Sequence, residues 1–252
     1  MICHAASMPT VEELVGRMVE QEDRNFELAK KWEFEQHLVT QRLDGDGHVE
    51  SEKTKTVTYR PEGKLSFSVG GLKGQGEQAE VGIGMSNQKD NPEEGRFSEA
   101  IHMRELRPIY DFTLAGEGEH DGRKVWLLDF TPKIDLKVEG DRQRRVLAGL
   151  RGRLWVDQAD SAILRADCSL VKPMPFAWFD LVSLRELRIQ YETLLQDGKV
   201  WLPKSMEVFY MVRVMFITHI REKQLMTADG YRLILADSEG LPLQVPAQET
   251  PP

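Results

Sequence analysis

The stretch GRLWVDQADSAILRADCSL, residues 152–170, gathers Asp157, Asp160 and Asp167 with a serine and Cys168. Two carboxylates held together are the usual equipment for general acid–base hydrolysis. Asp157 and Asp160, however, flank the turn, where aspartate favours local hydrogen bonds. The turn reading is preferred, and replacing both with Asn is expected to leave function intact. Ser169 and Lys172 have the S-x-x-K spacing of an acyl-transfer pair, which works when both residues share a helical turn. Here they end a strand pattern, and the companion motifs are missing. DGDGHVESE resembles a calcium loop, yet counting from Asp44 the sixth position is Val49 and the twelfth is Lys55. The loop chemistry requires Gly and Glu at those places. GGLKGQG has neither the Lys-Ser/Thr pair nor the following helix of a phosphate loop. His4, His37, His48, His102, His120 and His219 form no H-x-H or H-x-x-x-H pair, so the sequence carries no metal signal. No catalytic residue, metal or cofactor is expected, and the chain reads as a non-enzyme.

The wider composition narrows the classes further. The chain has 252 residues, 40% hydrophobic and 29% charged, which suffices for a buried core. A net charge of -8 argues against a nucleic-acid partner, because phosphate affinity needs a basic surface. No apolar run approaches the roughly 18 residues that cross a bilayer. Cys3 and Cys168 are the two cysteines. A disulfide between them is not expected, and Cys168 reads as a small buried hydrophobe. The opening MICHAASMPT is too short for a signal peptide. HAAS has the small-residue character of a cleavage region, so two readings stay open: a trimmed exported precursor, or an ordinary loose terminus.

The elements that must position these residues follow from periodicity. PTVEELVGRMVEQED predicts a helix with Thr10 and Glu13 as a capping box. Val11, Leu14, Val15, Met18 and Val19 form its apolar stripe. From residue 32 the period becomes two: Trp32, Phe34 and Leu38 share a face. A turn at 44–47, a Thr-rich strand and LSFSV continue an antiparallel meander. Residues 70–96 read as a long connection, and RFSEAIHMRELRP as a short helix stopped by Pro108. Tyr110, Phe112 and Leu114 share a face, as do Trp126, Leu128 and Phe130 across the turn at Asp121-Gly122. Phe176, Trp178 and Phe179 lie in a proline-containing loop that should fold over an apolar surface. Residues 186–195 read as another strand, QDGK as its turn and residues 200–224 as one long strand, with Val208, Tyr210, Val212, Val214 and Phe216 on one face and Met211, Met215 and Ile217 making the other partly apolar. DGYRLILAD is taken as a last strand.

About ten strands in sequential antiparallel order give a mainly β (α+β) fold. A sheet this large curls into a half-barrel, with the N-terminal helix and short helices or loops covering its concave face. One domain is expected over residues 10–236, with flexible termini at 1–9 and 237–252. The aromatics that remain either fill a core or line an open apolar cavity, and both readings stand.

Taken in order, the strand ending at Phe130–Pro132, the G-x-L-W-V-D strand at Gly152–Asp157, the outgoing I-x-R at Ile163–Arg165 and the G-x-x-x-x-P segment at Gly198–Pro203 resemble the outer-membrane lipoprotein-sorting proteins, the LolA/LolB-like family. The resemblance spans roughly residues 10–225. It implies a half-barrel with a helical lid over an apolar cavity for acyl chains, a periplasmic location, and no catalytic residue. Its members carry lipids or lipoproteins or sense mislocalised ones. The chain departs from the pattern in lacking a recognisable signal peptide and in its 70–96 insert. The ligand is then a lipid or lipoprotein acyl chain, with an envelope membrane protein as a further partner. The expected cavity lining is Trp32, Phe34, Phe112, Trp126, Phe130 and Trp155 from the sheet. Leu14 and Met18 come from the helix, and Phe176, Trp178 and Phe179 from the loop. The alternative is an envelope sensor or protein-interaction module of the same fold.

Overall fold

Thr10 starts the first helix as the sequence predicts. Its hydroxyl accepts from the Glu13 amide, and its own amide donates back to the Glu13 carboxylate at 2.9 Å. This closed capping box satisfies two amides that the helix cannot pair internally. A computed structural model describes residues 8–59, 67–69, 83–85, 103–133, 142–175, 182–215 and 218–234. The helix α1 covers Val11–Ala29 and buries Leu14, Val15 and Met18. The strands β1 (Trp32–Leu43) and β2 (Val49–Tyr59) follow, then a small ribbon of β3 (Phe67–Val69) and β4 (Ile83–Met85). Next come α2 (Met103–Leu106), β5 (Tyr110–His120), β6 (Arg123–Pro132), α3 (Arg142–Leu147), β7 (Leu150–Asp157) and β8 (Ile163–Leu170). The chain ends with β9 (Met174–Pro175), β10 (Val182–Gln196), β11 (Val200–Val214) and β12 (Thr218–Leu233).

The main sheet runs β2-β1-β12-β11-β10-β8-β7-β6-β5, with β9 added beside β10. It is antiparallel, open at β2 and β5, and curled, as expected. Its curl is visible where strands distant in that order meet. Lys204 of β11 reaches Asp121 in the β5–β6 turn at 3.2 Å, and Leu195 and Trp201 pack with Val125 of β6. The Asp121-Gly122 tip has positive φ at both residues (48° and 75°), the geometry that matches a hairpin to strand twist.

Three expectations are corrected. The strands are not in simple sequential order, because β1 pairs with β12 as well as β2. The segment LSFSV contributes β3 to the small ribbon rather than to the main sheet. Residues 200–224 form no single strand: the chain reverses at Met215, which has φ 50° and is 67% exposed, while Phe216 and Ile217 lie outside the described residues. No Gly, Pro, Asn or Asp marks that reversal, so an apolar run conceals it. The putting of Met215 on a half-covered sheet face fails for the same reason.

The sheet has a covered face and an outer face. On the covered face, α1 and α2 lie over β5–β8, where Leu14, Val15, Met18, Met103, Tyr110, Leu128, Phe130, Leu154 and Val156 form one cluster. A second cluster on the same face spans β10–β12, with Leu187, Val208 and Tyr210 at its centre and Val146 of α3 packed on it. Cys168 touches both clusters. The outer face is laddered with ion pairs such as Glu207–Lys223 at 3.0 Å.

The two ends of α1 do different work. At its C-terminal end, the Asn25 amide donates to the Trp201 carbonyl at 2.8 Å and accepts from the Trp201 amide at 2.7 Å. The β11–β12 ladder begins at Ser205, so at Trp201 a side-chain amide stands where a neighbouring strand would. An unpaired edge is thereby satisfied. Pro203, which has no amide to pair, occupies the same stretch.

Candidate functional site

The apolar site is built on the flank of the first cluster nearest the edge strand. Tyr110, Phe112 and Phe130 meet as an aromatic group, with centroids 4.9 Å apart for Tyr110–Phe130 and 6.4 Å for Phe112–Phe130. Phe130 lies against Gly152 of the next strand, where an added Cβ would come within 2.9 Å of its ring and 2.0 Å of the Asp167 carbonyl oxygen. The glycine of the G-x-L-W-V-D segment is thus required by close approach. The Tyr110 hydroxyl donates to the Leu147 carbonyl, tying this group to α3. Burial, with a smaller contribution from Cys168, raises its phenol well above the ordinary range.

The rim of the cluster is not sealed. Val11, Val19, Leu106, Ile109, Phe112, Leu114 and Trp126 all pack on it while remaining half-buried. They form a half-exposed apolar rim between the helices and the β5–β6 edge. α2 is fixed over it by three links to α1. Glu22 accepts from the Met103 amide at 2.7 Å, Asp23 pairs with Arg104 at 2.6 Å, and Glu12 pairs with Arg107 at 3.1 Å.

The residues expected to line a cavity divide. Leu14, Met18, Phe112, Trp126 and Phe130 come together in this cluster. Trp32 packs instead with Ala29, Val200 and Leu202, and Phe34 lies against the Tyr231 ring at 5.5 Å. Trp155 is on the outer face: its ladder partner is Leu127, whereas Leu128 and Leu154 face the helix. There it packs with Leu127 and lies beneath the Arg165 guanidinium at 5.1 Å. Phe176, Trp178 and Phe179 fall outside the described residues. Leu106 and Ile109 were not singled out by type, and Val11 was read only as part of the helix stripe. Their signal is adjacency to a helical stripe and to an edge strand, which a one-dimensional reading does not rank.

The acids of the opening hairpin serve structure. Asp157 accepts from Arg123 at 2.6 Å and from the amides of Ala159 and Asp160 at 2.8 and 3.1 Å. Burial pushes its carboxyl upward, but these bonds outweigh burial and hold it below its ordinary 3.8. Asp160 accepts from the Trp201 indole at 2.8 Å and from the Ala162 amide at 3.0 Å. Arg123 also lies over the Trp201 ring at 5.2 Å. This network fastens the β7–β8 turn to β6 and β11. Cys168 is a free thiol that burial, with a smaller push from Asp167, raises to about 12, so it stays protonated.

Among the described residues, two groups bring metal-ligand atoms within 4.8 Å of one another: Glu35, His37 and Asp229, and Asp44, Asp46 and His48. Both are partly or fully exposed and lie away from the apolar rim. His37 is held between Thr56 and Asp229 at 3.0 and 3.3 Å, and Asp44 accepts from the amides of Asp46 and His48. A depression of about 500 Å³ lies on the outer face between Asp167, Ser169, Arg188, Gln190, Glu207 and Lys223. Leu43, Cys168, Ile189 and Phe209 complete its lining.

No protein-family model matches the chain, and no curated protein matches it. Among solved structures it is similar to a DUF1329 family protein from Desulfovibrio piger, at 16% identity over 92% of this chain and 96% of that one, TM-score 0.36. A LolA superfamily protein from Nitrosomonas europaea matches at 12% identity, 92% and 97% coverage and TM-score 0.36. A domain described as an outer membrane lipoprotein-sorting protein, from Vibrio parahaemolyticus, matches at 10% identity, 89% and 95% coverage and TM-score 0.36. No helix among the described residues is long and apolar enough to cross a membrane.

Proposed function

We propose that this chain is a non-enzymatic periplasmic carrier that holds a lipid or lipoprotein acyl chain between α1–α2 and the β5–β6 edge. Residues 10–236 act as one carrier domain in this reading. The observation that supports it is the half-buried apolar rim of Phe112, Leu114, Trp126, Leu106 and Ile109 around a fully buried cluster. An acyl chain laid along that rim completes burial that the protein leaves unfinished. Each buried methylene contributes about 0.8 kcal/mol, so about ten give about 8 kcal/mol before the costs of association.

The test is a fluorescent long-chain fatty acid titrated into the full chain, with native mass spectrometry of gently purified protein. Saturable binding is expected, and Trp126→Ala with Leu114→Ser should weaken it tenfold or more. No bound apolar ligand and no saturable probe binding would remove the reading. One feature favours a second reading, an envelope module for a protein partner. β5 is a sheet edge beside the apolar rim, and an extended peptide adds to such an edge. Peptide binding without acyl binding would select it.

A further inference from the structure

We propose that Glu35, His37 and Asp229 form a binding site for one zinc-class divalent cation, which clips β1 to β12 on the outer face of the sheet. The site is independent of the carrier reading. Sheet geometry supplies it. Side chains two apart on a strand share a face, so Glu35 and His37 point away from the buried Phe34 and Gln36. Asp229 is the ladder partner of Glu35 on β12 and joins them on that face. The three side chains bring one imidazole nitrogen and two carboxylate oxygens within 4.8 Å of one another. No spacing along the chain announces this set, because 192 positions separate His37 from Asp229. The strand register brings them together.

Two features point to a cation. Glu35 and Asp229 are like charges directly opposite each other in the ladder, a pairing that destabilises a sheet. Glu33 has Arg232 at 3.3 Å, but neither Glu35 nor Asp229 pairs with a lysine or arginine among the described residues. A bound cation supplies the missing positive charge. The second feature is the aim of the His37 ring. Its Nδ1 lies 3.0 Å from the Thr56 hydroxyl of β2, and its Nε2 lies 3.3 Å from Asp229 Oδ1. With Nδ1–H donating to Thr56, the Nε2 lone pair faces the carboxylates, the tautomer that a metal ligand requires. A cation then takes the place of a hydrogen between Nε2 and Asp229. Gly230, with φ 62°, puts no side chain against Glu35, whose Cγ lies 3.6 Å from where a Cβ would stand. The imidazole selects the class of ion, because calcium and magnesium favour all-oxygen sets while zinc accepts nitrogen with carboxylate. His37 and Asp229 are 37% and 67% exposed, so a cation can enter and water can complete its coordination. Asp44, Asp46 and His48 offer less: Asp44 Oδ1 already accepts from the amides of Asp46 and His48, at 2.8 and 2.9 Å, to hold its own turn.

Zinc chloride titrated calorimetrically into the chelator-treated full chain at pH 7.5 tests this. Saturable binding is expected, and excess calcium should not displace it. His37→Ala and Asp229→Asn should each weaken it tenfold or more, and His48→Ala should leave it unchanged. A long-range proton–nitrogen NMR spectrum of the wild type keeps the test independent of any variant's folding: zinc should shift the His37 Nε2 resonance while Nδ1 stays protonated. No saturable binding, equal binding in His37→Ala, loss in His48→Ala instead, displacement by calcium, or an unshifted His37 ring overturns the site. None of these measurements uses an acyl ligand. Failure of the fatty-acid titration would remove the carrier reading, while failure of the zinc titration would remove the cation site alone.

Discussion

Replacing Asp157 with alanine should destabilise the protein by about 3–5 kcal/mol without touching the apolar rim. The magnitude is built from three bonds. The Asp157 side chain is 2% exposed and pairs with Arg123, which is 35% exposed. Arg123 rehydrates in part when its partner is lost, so that bond accounts for only about 1.5–3 kcal/mol. The amides of Ala159 and Asp160 lose their acceptor at a part-buried turn, at about 1 kcal/mol each. The melting temperature of a chain this size should fall by about 10 °C. Asp157→Asn keeps an acceptor for the turn amides and loses the charge, so it should cost about half as much. Urea and thermal unfolding by circular dichroism at pH 7 measure the series. A loss under about 1 kcal/mol for the alanine variant, or equal losses for both, would refute the reasoning. The pH dependence has a definite sign. The folded carboxyl titrates below its unfolded 3.8, so the stability it contributes is present above that value and is lost as pH falls through the folded one. Acyl-probe binding by the folded variants should match the wild type.

Thr10→Ala opens the capping box and should cost about 1 kcal/mol, seen as faster amide exchange in the first turn of α1. Asn25→Ala exposes the Trp201 amide and carbonyl and should cost about 1–3 kcal/mol in urea unfolding, with Asn25→Asp recovering only the acceptor half. Cys168 should resist a thiol reagent in native protein at pH 8 and react at once in denaturant, since its thiol is held at about 12.

Much of the fold was legible in the chain where local chemistry is decisive. The α1 cap needs only Thr10 and Glu13 at the right spacing, and the β5–β6 hairpin needs only Asp121-Gly122 between alternating strands. The alternation around Phe112 and Phe130 also placed them on one face, because their neighbours Asp111, Thr113, Asp129 and Thr131 are polar and let a period of two be read. In Leu154-Trp155-Val156 every position is apolar, and alternation cannot say which side chains face the helix. The ladder with β6 decides it, sending Leu154 and Val156 inward and Trp155 outward. The reversal at Met215 escaped for a related reason, since a turn made by apolar residues leaves no compositional trace.

The sequence by itself determined the class of this protein: an antiparallel sheet with one capped amphipathic helix. Those properties depend on residues a few positions apart. Tertiary structure alone decided that β1 joins β12, that Asn25 completes the edge of β11, and that Glu22 meets Met103. Each of these contacts joins residues about 80 to 200 positions apart, for which loop-closure entropy sets a cost but not a partner. The partner is fixed by which unpaired amide or apolar side chain remains when the sheet curls.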